Sequence, residues 1–327
     1  MRKVESAADL PNAFAGAQSE SLASFGSPDL FLEKYLVRPR HVEIQVLGDQ
    51  HGHAVYLGER ECSVQRRFQK MFEEAPSPAL DEATRRKMGE AAANGARQVG
   101  YAGAGTFEFL VDENRGFYFL EVNTRLQVEH PVTEMVTGVD LVRHQIQVAA
   151  GQKLDLTQED IHPRGHAMEC RISVEDPFRG FLPRPGRVTD LRLPAGPGVR
   201  VDTHLYPGYE VPGSFDSMVA KLITWGHDRE HARVRMLAAL DEFRLVGPAT
   251  TIPFHKALLR HPEFIAGNLS THFLAEHMPT LEAHPGEQAV RLAALIAALE
   301  GGEARSGAAT QDNEWSRAGR WAAVGLR

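Results

Sequence analysis

Two apolar segments joined by a short polar turn constrain the fold of this chain more than any other feature. Residues 105–112 (GTFEFLVD) and 117–123 (FYFLEVN) have the length and composition of strands, and the turn at 114–115 predicts that they form an antiparallel hairpin. A register symmetric about this turn places Glu108 directly opposite Glu121. The chain is therefore expected to hold two facing carboxylates on one surface of a sheet.

Facing carboxylates repel each other, so the pairing is costly unless a cation or a shared proton relieves it. Asn123 shares the face of Glu121, because side chains two residues apart in a strand point the same way. Oxygen ligands favour Mg²⁺ or Mn²⁺, and Mg²⁺ commonly combines one or two carboxylates with substrate phosphates. The residues alone leave a second interpretation open, in which Glu108 and Glu121 are simply solvated on an exposed sheet face.

The segment after the hairpin, residues 123–131 (NTRLQVEHP), is predicted to continue the strand with Arg125, Gln127 and Glu129 on one face. A guanidinium, an amide and a carboxylate in series suit the binding of a small oxyanion beside a general base. A solvated edge strand with an Arg–Glu pair explains the pattern equally well. The cationic run at 65–70 (QRRFQK) is, by itself, typical of a solvated face.

Composition excludes several classes of protein. Of the 327 residues, 43% are hydrophobic and 24% are charged, as in soluble globular proteins. A formal charge of −7 gives no sequence-wide basic field for a nucleic acid or an anionic membrane. Two cysteines cannot form a disulfide framework or a four-thiolate metal site. With no apolar signal segment at the start, we expect a soluble, cytoplasmic protein.

Periodicity predicts a mixture of strands and helices, with short strands between 165 and 225. The predicted strands of the first half are 31–36 (FLEKYL), 41–49 (HVEIQVLGD) and 53–64 (HAVYLGERECSV), the last turning at Gly58. The predicted helices are one or two within 1–30, then 81–99 capped by Asp81, 132–150 ending at Gly151, 229–243, 249–260 and 289–300. The last of these is too short to span a bilayer and is expected to pack on the protein.

Longer stretches resemble the biotin carboxylase component of biotin-dependent carboxylases, in order from residue 1 to about 274. EVNTRLQVEHPVTE (121–134) is the motif that separates this family from other ATP-grasp enzymes such as peptide-type ligases. The other similar stretches are HVEIQVLGD, ERECSVQRRFQKMFEEAPSP, GYAGAGTFEFL, RGHAMECRISVEDP, FLPRPGRV, GVRVDTHLYPGYEVPGSFDSMVAKLITWG and THFL.

The resemblance implies an α+β fold, a partial ATP-grasp fold followed by a β-rich biotin carboxylase C-terminal domain. The implied domains are a remnant of the ATP-grasp lid (1–35), the catalytic sheet domain (36–160), the C-terminal domain (161–275) and a tail (276–327). The tail resembles the linker of longer acyl-CoA carboxylase α subunits, or is an unrelated extension. Against the family pattern, the chain lacks the Gly-rich lid loop with its lysine, and it has no biotinylation motif.

Site residues follow from the resemblance, position by position. The implied metal ligands are Glu108, Glu121 and Asn123. The implied ATP-binding residues are Glu33, Lys34, Leu36, His41, Gln65, Glu108 and Glu121. The implied bicarbonate and biotin residues are Lys70, Arg125, Gln127, the backbone of Val128, and Arg200. Glu129 corresponds to the base that deprotonates bicarbonate, and the implied catalytic set is Glu129, Arg125, Lys70 and Arg200.

The implied activity is the ATP-dependent carboxylation of biotin with bicarbonate, assisted by Mg²⁺ or Mn²⁺, as the first half-reaction of an acyl-CoA carboxylase. The implied partners are a biotin carrier domain, a second copy of the chain and a carboxyltransferase subunit, with biotin attached to the carrier. Without the lid, the isolated chain is expected not to be competent. The alternatives are a non-catalytic fragment or scaffold, or another ATP-grasp carboxylate–amine ligase, against which the bicarbonate motif argues.

Overall fold

The computed structural model describes residues 2–278, 281 and 295, and the chain divides into two units, residues 1–39 and 40–327. The first unit contains helix α1 (Leu10–Phe25), which ends at Gly26 in the left-handed conformation that glycine adopts without strain. The predicted strand at 31–36 is wrong, since none of the sheets in the described part of the chain includes these residues. A strand requires a pairing partner, so the segment stays coil.

The second unit is built on an eight-stranded sheet in which every neighbouring pair is antiparallel. Its strands are β1 (Arg40–Gly48), β2 (Ala54–Arg66), β3 (Gln69–Ala75), β4 (Gly103–Val111), β5 (Phe117–Asn123), β6 (His166–Ser173), β11 (Val199–Thr203) and β13 (Met218–Gly226). The shorter strands are β7 (Glu175–Asp176), β8 (Leu182–Pro183), β9 (Gly186–Arg187), β10 (Asp190–Arg192), β12 (Glu210–Val211) and β14 (Arg244–Val246).

The order of strands across the main sheet is β11-β13-β6-β3-β2-β1-β4-β5. Because β3 pairs with β6, the sheet runs without a break across residue 160, where the sequence places a domain boundary. The remaining strands form three two-stranded sheets, β7 with β8, β9 with β12 and β10 with β14. The α+β fold class and the short strands after residue 165 are confirmed.

The helices of the second unit are α2 (Glu82–Gln98), α3 (His130–Thr137), α4 (Leu141–Ala149), α5 (Arg229–Glu242), α6 (Ile252–Arg260), α7 (Pro262–Ile265) and α8 (Phe273–His277). As predicted, Asp81 caps α2 by accepting a hydrogen bond from the backbone N–H of Thr84 at 2.9 Å. Met88, Ala92 and Ala96 are buried as expected, but Val99 lies beyond the helix and is exposed. The predicted helices at 229–243 and 249–260 correspond to α5 and α6.

Two predictions of local structure are wrong for identifiable reasons. The single helix at 132–150 is broken, because Gly138 ends α3 at φ +75° and Asp140 caps α4 by accepting from the N–H of Arg143. Strand β2 continues through Gly58 instead of turning, since an extra residue there forms a bulge opposite β1, with Gly58 at φ +85°. The predicted helix at 289–300 lies outside the described residues except for Leu295.

Alternation along β1 divides the sheet into an apolar face and a polar face. Val42 and Ile44 are fully buried in a cluster with residues of α2. Glu43 and Gln45 point to the other face and are also fully buried. Since buried carboxylates and amides require partners, the polar face of the sheet must carry a network of compensating groups. Among the described residues, no helix is both long and apolar enough to cross a membrane.

Candidate active site

Every strand of the main sheet contributes an ionisable side chain to the polar face. Directly opposed residues of antiparallel strands share a face, and the register links most of these positions in series. From one edge of the sheet to the other the residues are Glu121, Glu108, Glu43, Arg60, Lys70, Arg171, Lys221 and Asp202. A row of charges therefore crosses the sheet, with the segment 124–134 beside its centre.

The predicted pairing of Glu108 with Glu121 is confirmed. The symmetric register holds only up to this pair, because a bulge follows it and places Phe109 opposite Phe119. Glu108 is 4% exposed, so the interpretation of two solvated glutamates is wrong for this residue, whereas Glu121 is exposed. Asn123 lies on the same face, where its Nδ2 donates to Glu108 Oε1 at 2.9 Å.

A histidine and a lysine contact the buried Glu108 carboxylate. Its Oε2 lies 3.0 Å from His41 Nε2, and its Oε1 accepts from Lys70 Nζ at 2.9 Å. Burial opposes ionisation, but the His41 contact and the Lys70 charge outweigh it and hold the pKa of Glu108 well below its usual range. The donor atoms of His41, Glu43 and Glu108 lie within 4.8 Å of one another, a spacing that suits a divalent cation.

Lys70 is the centre of this network. Its Nζ donates to Glu43 Oε2 at 2.5 Å, to Glu108 Oε1 at 2.9 Å and to Glu129 Oε1 at 2.6 Å, which uses all three ammonium protons. The interpretation of the 65–70 run as a solvated face is therefore wrong for Lys70. Burial favours the neutral amine, but the three carboxylates outweigh it and raise the pKa of Lys70 above its usual range.

The β2–β3 hairpin places Lys70 on the polar face. Arg67 and Phe68 both have positive φ, as the two central residues of a tight hairpin turn require. Gln65 lies directly opposite Lys70 across this hairpin and therefore shares its face. The predicted ATP residue Gln65 and the predicted bicarbonate residue Lys70 are thus neighbours on one surface.

Sequence reasoning missed Arg60, whose guanidinium is fully buried at the base of the network. Its acceptors are Glu43 Oε1 at 2.5 Å, Gln45 Oε1 at 2.6 Å, Thr133 Oγ1 at 2.9 Å, and Thr106 Oγ1 and Gln127 Oε1, both at 3.1 Å. The register of β1 against β2 carried the missing signal, since Arg60 lies directly opposite Glu43. Arg60 thereby fixes Gln127, whose Nε2 donates to Glu108 Oε1 at 2.9 Å.

The predicted strand through 123–131 is wrong, because β5 ends at Asn123 and α3 begins at His130 with a proline in its first turn. The intervening turn still directs Gln127 and Glu129 into the network, and both are buried. Arg125 is exposed and does not share their environment; its nearest acceptors are Leu126 O at 3.3 Å and Asn123 Oδ1 at 3.4 Å.

Glu129 lies between two cations. Its Oε1 accepts from Lys70, and its Oε2 accepts from Arg171 Nη2 at 3.0 Å. The neighbouring Val128 carbonyl accepts from Lys221 Nζ at 2.8 Å. Glu129 is therefore a buried carboxylate held in one orientation at the centre of the charged row.

Arg200 lies on β11, on the far side of Lys221 from Glu129. It donates to Glu134 Oε2 at 2.6 Å and, through two nitrogens, to Asp202 at 2.8 and 3.0 Å. Arg200 thus joins the row through Asp202 rather than by contact with Glu129. The predicted adenine residues Glu33, Lys34 and Leu36 lie in coil of the first unit.

Two family models match the chain. The model "Carbamoyl-phosphate synthase L chain, ATP binding domain" matches residues 1–157, and the model "Biotin carboxylase C-terminal domain" matches residues 169–276. The chain belongs to the biotin carboxylase family. The resemblance identified from the sequence is thereby confirmed.

Relatives of this chain include proteins named biotin carboxylase. The chain is 52% identical to a biotin carboxylase of Nostoc sp. over 276 residues, which cover 84% of this chain and 62% of the relative. It is 54% identical to a biotin carboxylase of Allochromatium vinosum over 274 residues, 84% of this chain and 61% of the relative.

A solved structure has the same fold. It is the biotin carboxylase domain dimer of a Hydrogenobacter thermophilus 2-oxoglutarate carboxylase in complex with MgADP, ADP and bicarbonate, with a TM-score of 0.79 and 44% identity. The match covers 85% of this chain and 61% of that one. The chain thus spans about three fifths of the length of these biotin carboxylase relatives.

Proposed function

We propose that this chain supplies the polar sheet face on which biotin carboxylase activates bicarbonate with ATP for the carboxylation of biotin. The observation that carries the proposal is the position of Lys70, which joins the predicted metal carboxylate Glu108 to the predicted base Glu129. The carboxylate proposed to act on bicarbonate and the carboxylate proposed to bind the metal ion of ATP thereby share one ammonium group. The Hydrogenobacter structure, with MgADP and bicarbonate, supports the same pairing of ligands.

In the proposed reaction, Glu129 accepts the proton of bicarbonate, and Lys70 and Gln127 exchange a hydrogen bond to a carboxylate for one to the resulting anion. The anion attacks the γ-phosphorus of ATP and displaces ADP to give carboxyphosphate, which breaks down to CO₂ and phosphate. The phosphate takes the N1 proton of biotin, and Arg125 stabilises the enolate that captures CO₂. Arg200 contributes to holding biotin and phosphate, through a guanidinium that remains one-third exposed.

Glu108, Asn123 and Glu121 fit a divalent ion, because all three offer oxygen ligands on one face. An ion held by these residues would neutralise negative charge on the ATP phosphates. His41 and Gln65 border the same surface and are proposed to contact the nucleotide. Glu33, Lys34 and Leu36 of the first unit are proposed as ATP-binding residues on the sequence resemblance alone. The predicted domain bounds remain part of this proposal.

We also propose that biotin arrives on a separate carrier domain, that a carboxyltransferase receives the carboxyl group and that two copies associate. The acyl-CoA acceptor is an extension of this proposal that rests on the sequence of the tail, which lies outside the described residues. Solved structures similar to this chain belong to carboxylases with different names, a pyruvate and a 2-oxoglutarate carboxylase among them. We therefore propose that the carboxyltransferase partner, and not this sheet, selects the acceptor of the carboxyl group.

A chimera tests the function directly. Residues 1–276 would be joined in frame to the part of the Nostoc relative that this chain does not match. We expect the chimera to release phosphate from MgATP only when bicarbonate and biotin are both present, and the 327-residue chain alone to bind MgATP weakly in calorimetry. Phosphate release by the chain alone would make the added portion dispensable. An inactive chimera beside an active Nostoc parent would refute the function.

In the chimera, Glu129→Gln is expected to lower phosphate release by about 10²-fold or more, the usual cost of losing a general base, while MgATP binding is retained. Glu113→Gln, in the exposed hairpin turn, is the matched control and should leave the rate unchanged. A near-normal rate for Glu129→Gln would show that Glu129 is structural only. Release that depends on an amine instead of bicarbonate would favour the ligase alternative.

A further inference from the structure

A second pair of facing carboxylates lies deeper in the same polar face. Glu73 on β3 is directly opposite Glu169 on β6, and both side chains are fully buried. Directly opposed like charges repel, and burial removes the water that would screen them. In the first pair Glu121 is exposed, whereas here neither residue is exposed, so a solvated pair is excluded.

The hydrogen bonds of this pair are incomplete. Glu73 Oε1 accepts from Arg171 Nε at 2.6 Å. Glu73 Oε2 and both oxygens of Glu169 have no hydrogen-bond partner within the described part of the chain. Three unpaired carboxylate oxygens at one buried place are exceptional, because buried polar atoms are nearly always satisfied.

The surrounding charges do not neutralise both groups. Four charged groups face the pair. They are Arg171 on β6, the strand of Glu169; Lys70 on β3, the strand of Glu73; Lys221 on β13; and the carboxylate of Glu129. Lys70 is already shared by three other carboxylates, and Lys221 is held by Val128 O and Asp202. Only Arg171 remains for the pair, and it also serves Glu129.

We propose that Glu73 and Glu169 hold one proton between them at neutral pH, so that the pair carries a single negative charge and fixes Arg171 against Glu129. The O–H of a protonated Glu169 would donate to Glu73 Oε2 and satisfy two of the three unpaired oxygens. Burial is the main cause that raises the pKa of Glu73 to about 7, and burial with the Glu73 charge raises the pKa of Glu169 well above its usual range.

The pair is thereby a positioning group for the base. Arg171 donates Nε to Glu73 and Nη2 to Glu129, so one guanidinium transmits the charge state of the pair to the carboxylate that accepts the bicarbonate proton. This consequence rests on the proposed function. The shared proton itself does not depend on the proposed function, and it can be detected without any substrate.

Infrared spectroscopy of the 327-residue chain detects the proton. We expect a carbonyl band of a buried carboxylic acid at pH 6 that fades as the pH rises in the unmodified chain and is missing from Glu169→Gln. Glu74→Gln is the matched control, since Glu74 is the next residue on β3, is equally buried and is fully paired with His166 and Arg229. The control should keep the band, and a band unchanged in Glu169→Gln would overturn the proposal.

The pH dependence of unfolding gives a second readout. A carboxyl with a raised native pKa binds more protons in the folded than in the unfolded state, so the stability it contributes is present below about pH 4.3, the unfolded value, and is lost as pH rises through the native value. The unfolding constant of the unmodified chain, divided by that of Glu169→Gln, should therefore rise by roughly tenfold or more between pH 5 and 7.

The Glu74→Gln control has the opposite chemistry. Burial opposes ionisation of Glu74, but the hydrogen bond to His166 and the Arg229 charge outweigh it and lower the pKa of Glu74 to about 2, so its ratio to the unmodified chain should stay constant over this range. A constant ratio for Glu169→Gln would overturn the proposal. If Glu169→Gln fails to fold, the band of the unmodified chain still decides, because its absence at pH 6 refutes the shared proton. An inactive chimera with the proton present refutes the function alone.

Discussion

The two faces of the main sheet bury ionic groups in different ways. On the face that carries helix α2, each carboxylate has its own partners. Arg85 Nε lies 2.8 and 2.9 Å from the two oxygens of Glu59, and Arg229 donates two hydrogen bonds to Glu74 at 2.7 and 3.0 Å. Glu61 is satisfied by the hydroxyls of Ser63 and Ser77.

On the polar face, by contrast, a single cation is shared by several carboxylates. One ammonium, that of Lys70, serves three carboxylates, and one guanidinium, that of Arg171, serves two. Glu169 has no partner among the described residues. Removing one partner of a locally complete buried pair destabilises a fold, whereas a face with more carboxylates than cations can take up a metal ion, a proton or a cationic group of a ligand.

Breaking a pair on the α2 face should therefore cost stability and leave chemistry intact. Arg229→Gln leaves the fully buried Glu74 carboxylate with only His166, and we expect the free energy of unfolding to fall by about 3 kcal/mol or more. Urea denaturation measures the loss. Arg233→Gln, on the same helix but paired with the exposed Glu230, is the control and should cost about 1 kcal/mol or less. Equal losses would mean that the two faces are not energetically distinct.

A variant of an exposed residue beside the polar face should have the opposite effect, lowering activity and leaving stability unchanged. Arg125 is exposed and has no carboxylate partner in the described residues, so Arg125→Lys should leave the urea midpoint unchanged. In the chimera we expect phosphate release to fall roughly tenfold, about the value of one hydrogen bond to a charged group, because an ammonium cannot replace the planar fork. Arg143→Lys, on the exposed side of α4, is the control. A normal rate for Arg125→Lys would remove this residue from the site.

The sequence could predict those parts of the site that depend on local geometry. Counting outward from the turn at 114–115 pairs Glu108 with Glu121 because two deviations cancel: the pairs next to the turn are offset by one residue from the symmetric count, and the bulge restores it at Glu108. The same local reasoning fails at 124–129, where β5 has already ended at Asn123 and a turn leads into α3 at His130. Gln127 and Glu129 nevertheless lie in the same network, as predicted, because the turn before α3, and not strand alternation, directs both side chains there.

Long-range register was beyond the reach of the sequence. Arg60 interacts with Glu43 only because β1 and β2 pair in one register, and Glu73 meets Glu169 across strands separated by about ninety residues. A lone arginine or glutamate in a strand looks like a solvated residue until its opposite neighbour is known. The unassigned carboxyl pair was therefore visible only in the structure.

The smallest effect on the free energy of unfolding is expected for a helix cap, whose hydrogen bond belongs to neither face of the sheet. Asp140 caps α4 after the break at Gly138, and the N–H of Leu141 donates to Glu134 Oε1 at 2.9 Å, on the residue that also binds Arg200. Asp140→Ala should lower the free energy of unfolding by about 1 kcal/mol through the lost cap.

Because Asp140 shares no partner with Arg229, the double variant Asp140→Ala, Arg229→Gln should lose the sum of the two single losses to within about 0.5 kcal/mol. Urea denaturation of the four proteins in the cycle measures this. Asp140→Asn, which keeps a capping oxygen, should recover most of the loss. A double variant that departs from the sum by more than about 1 kcal/mol would show that the cap and the α2 face are coupled through the sheet, and that the division between its two faces is incomplete.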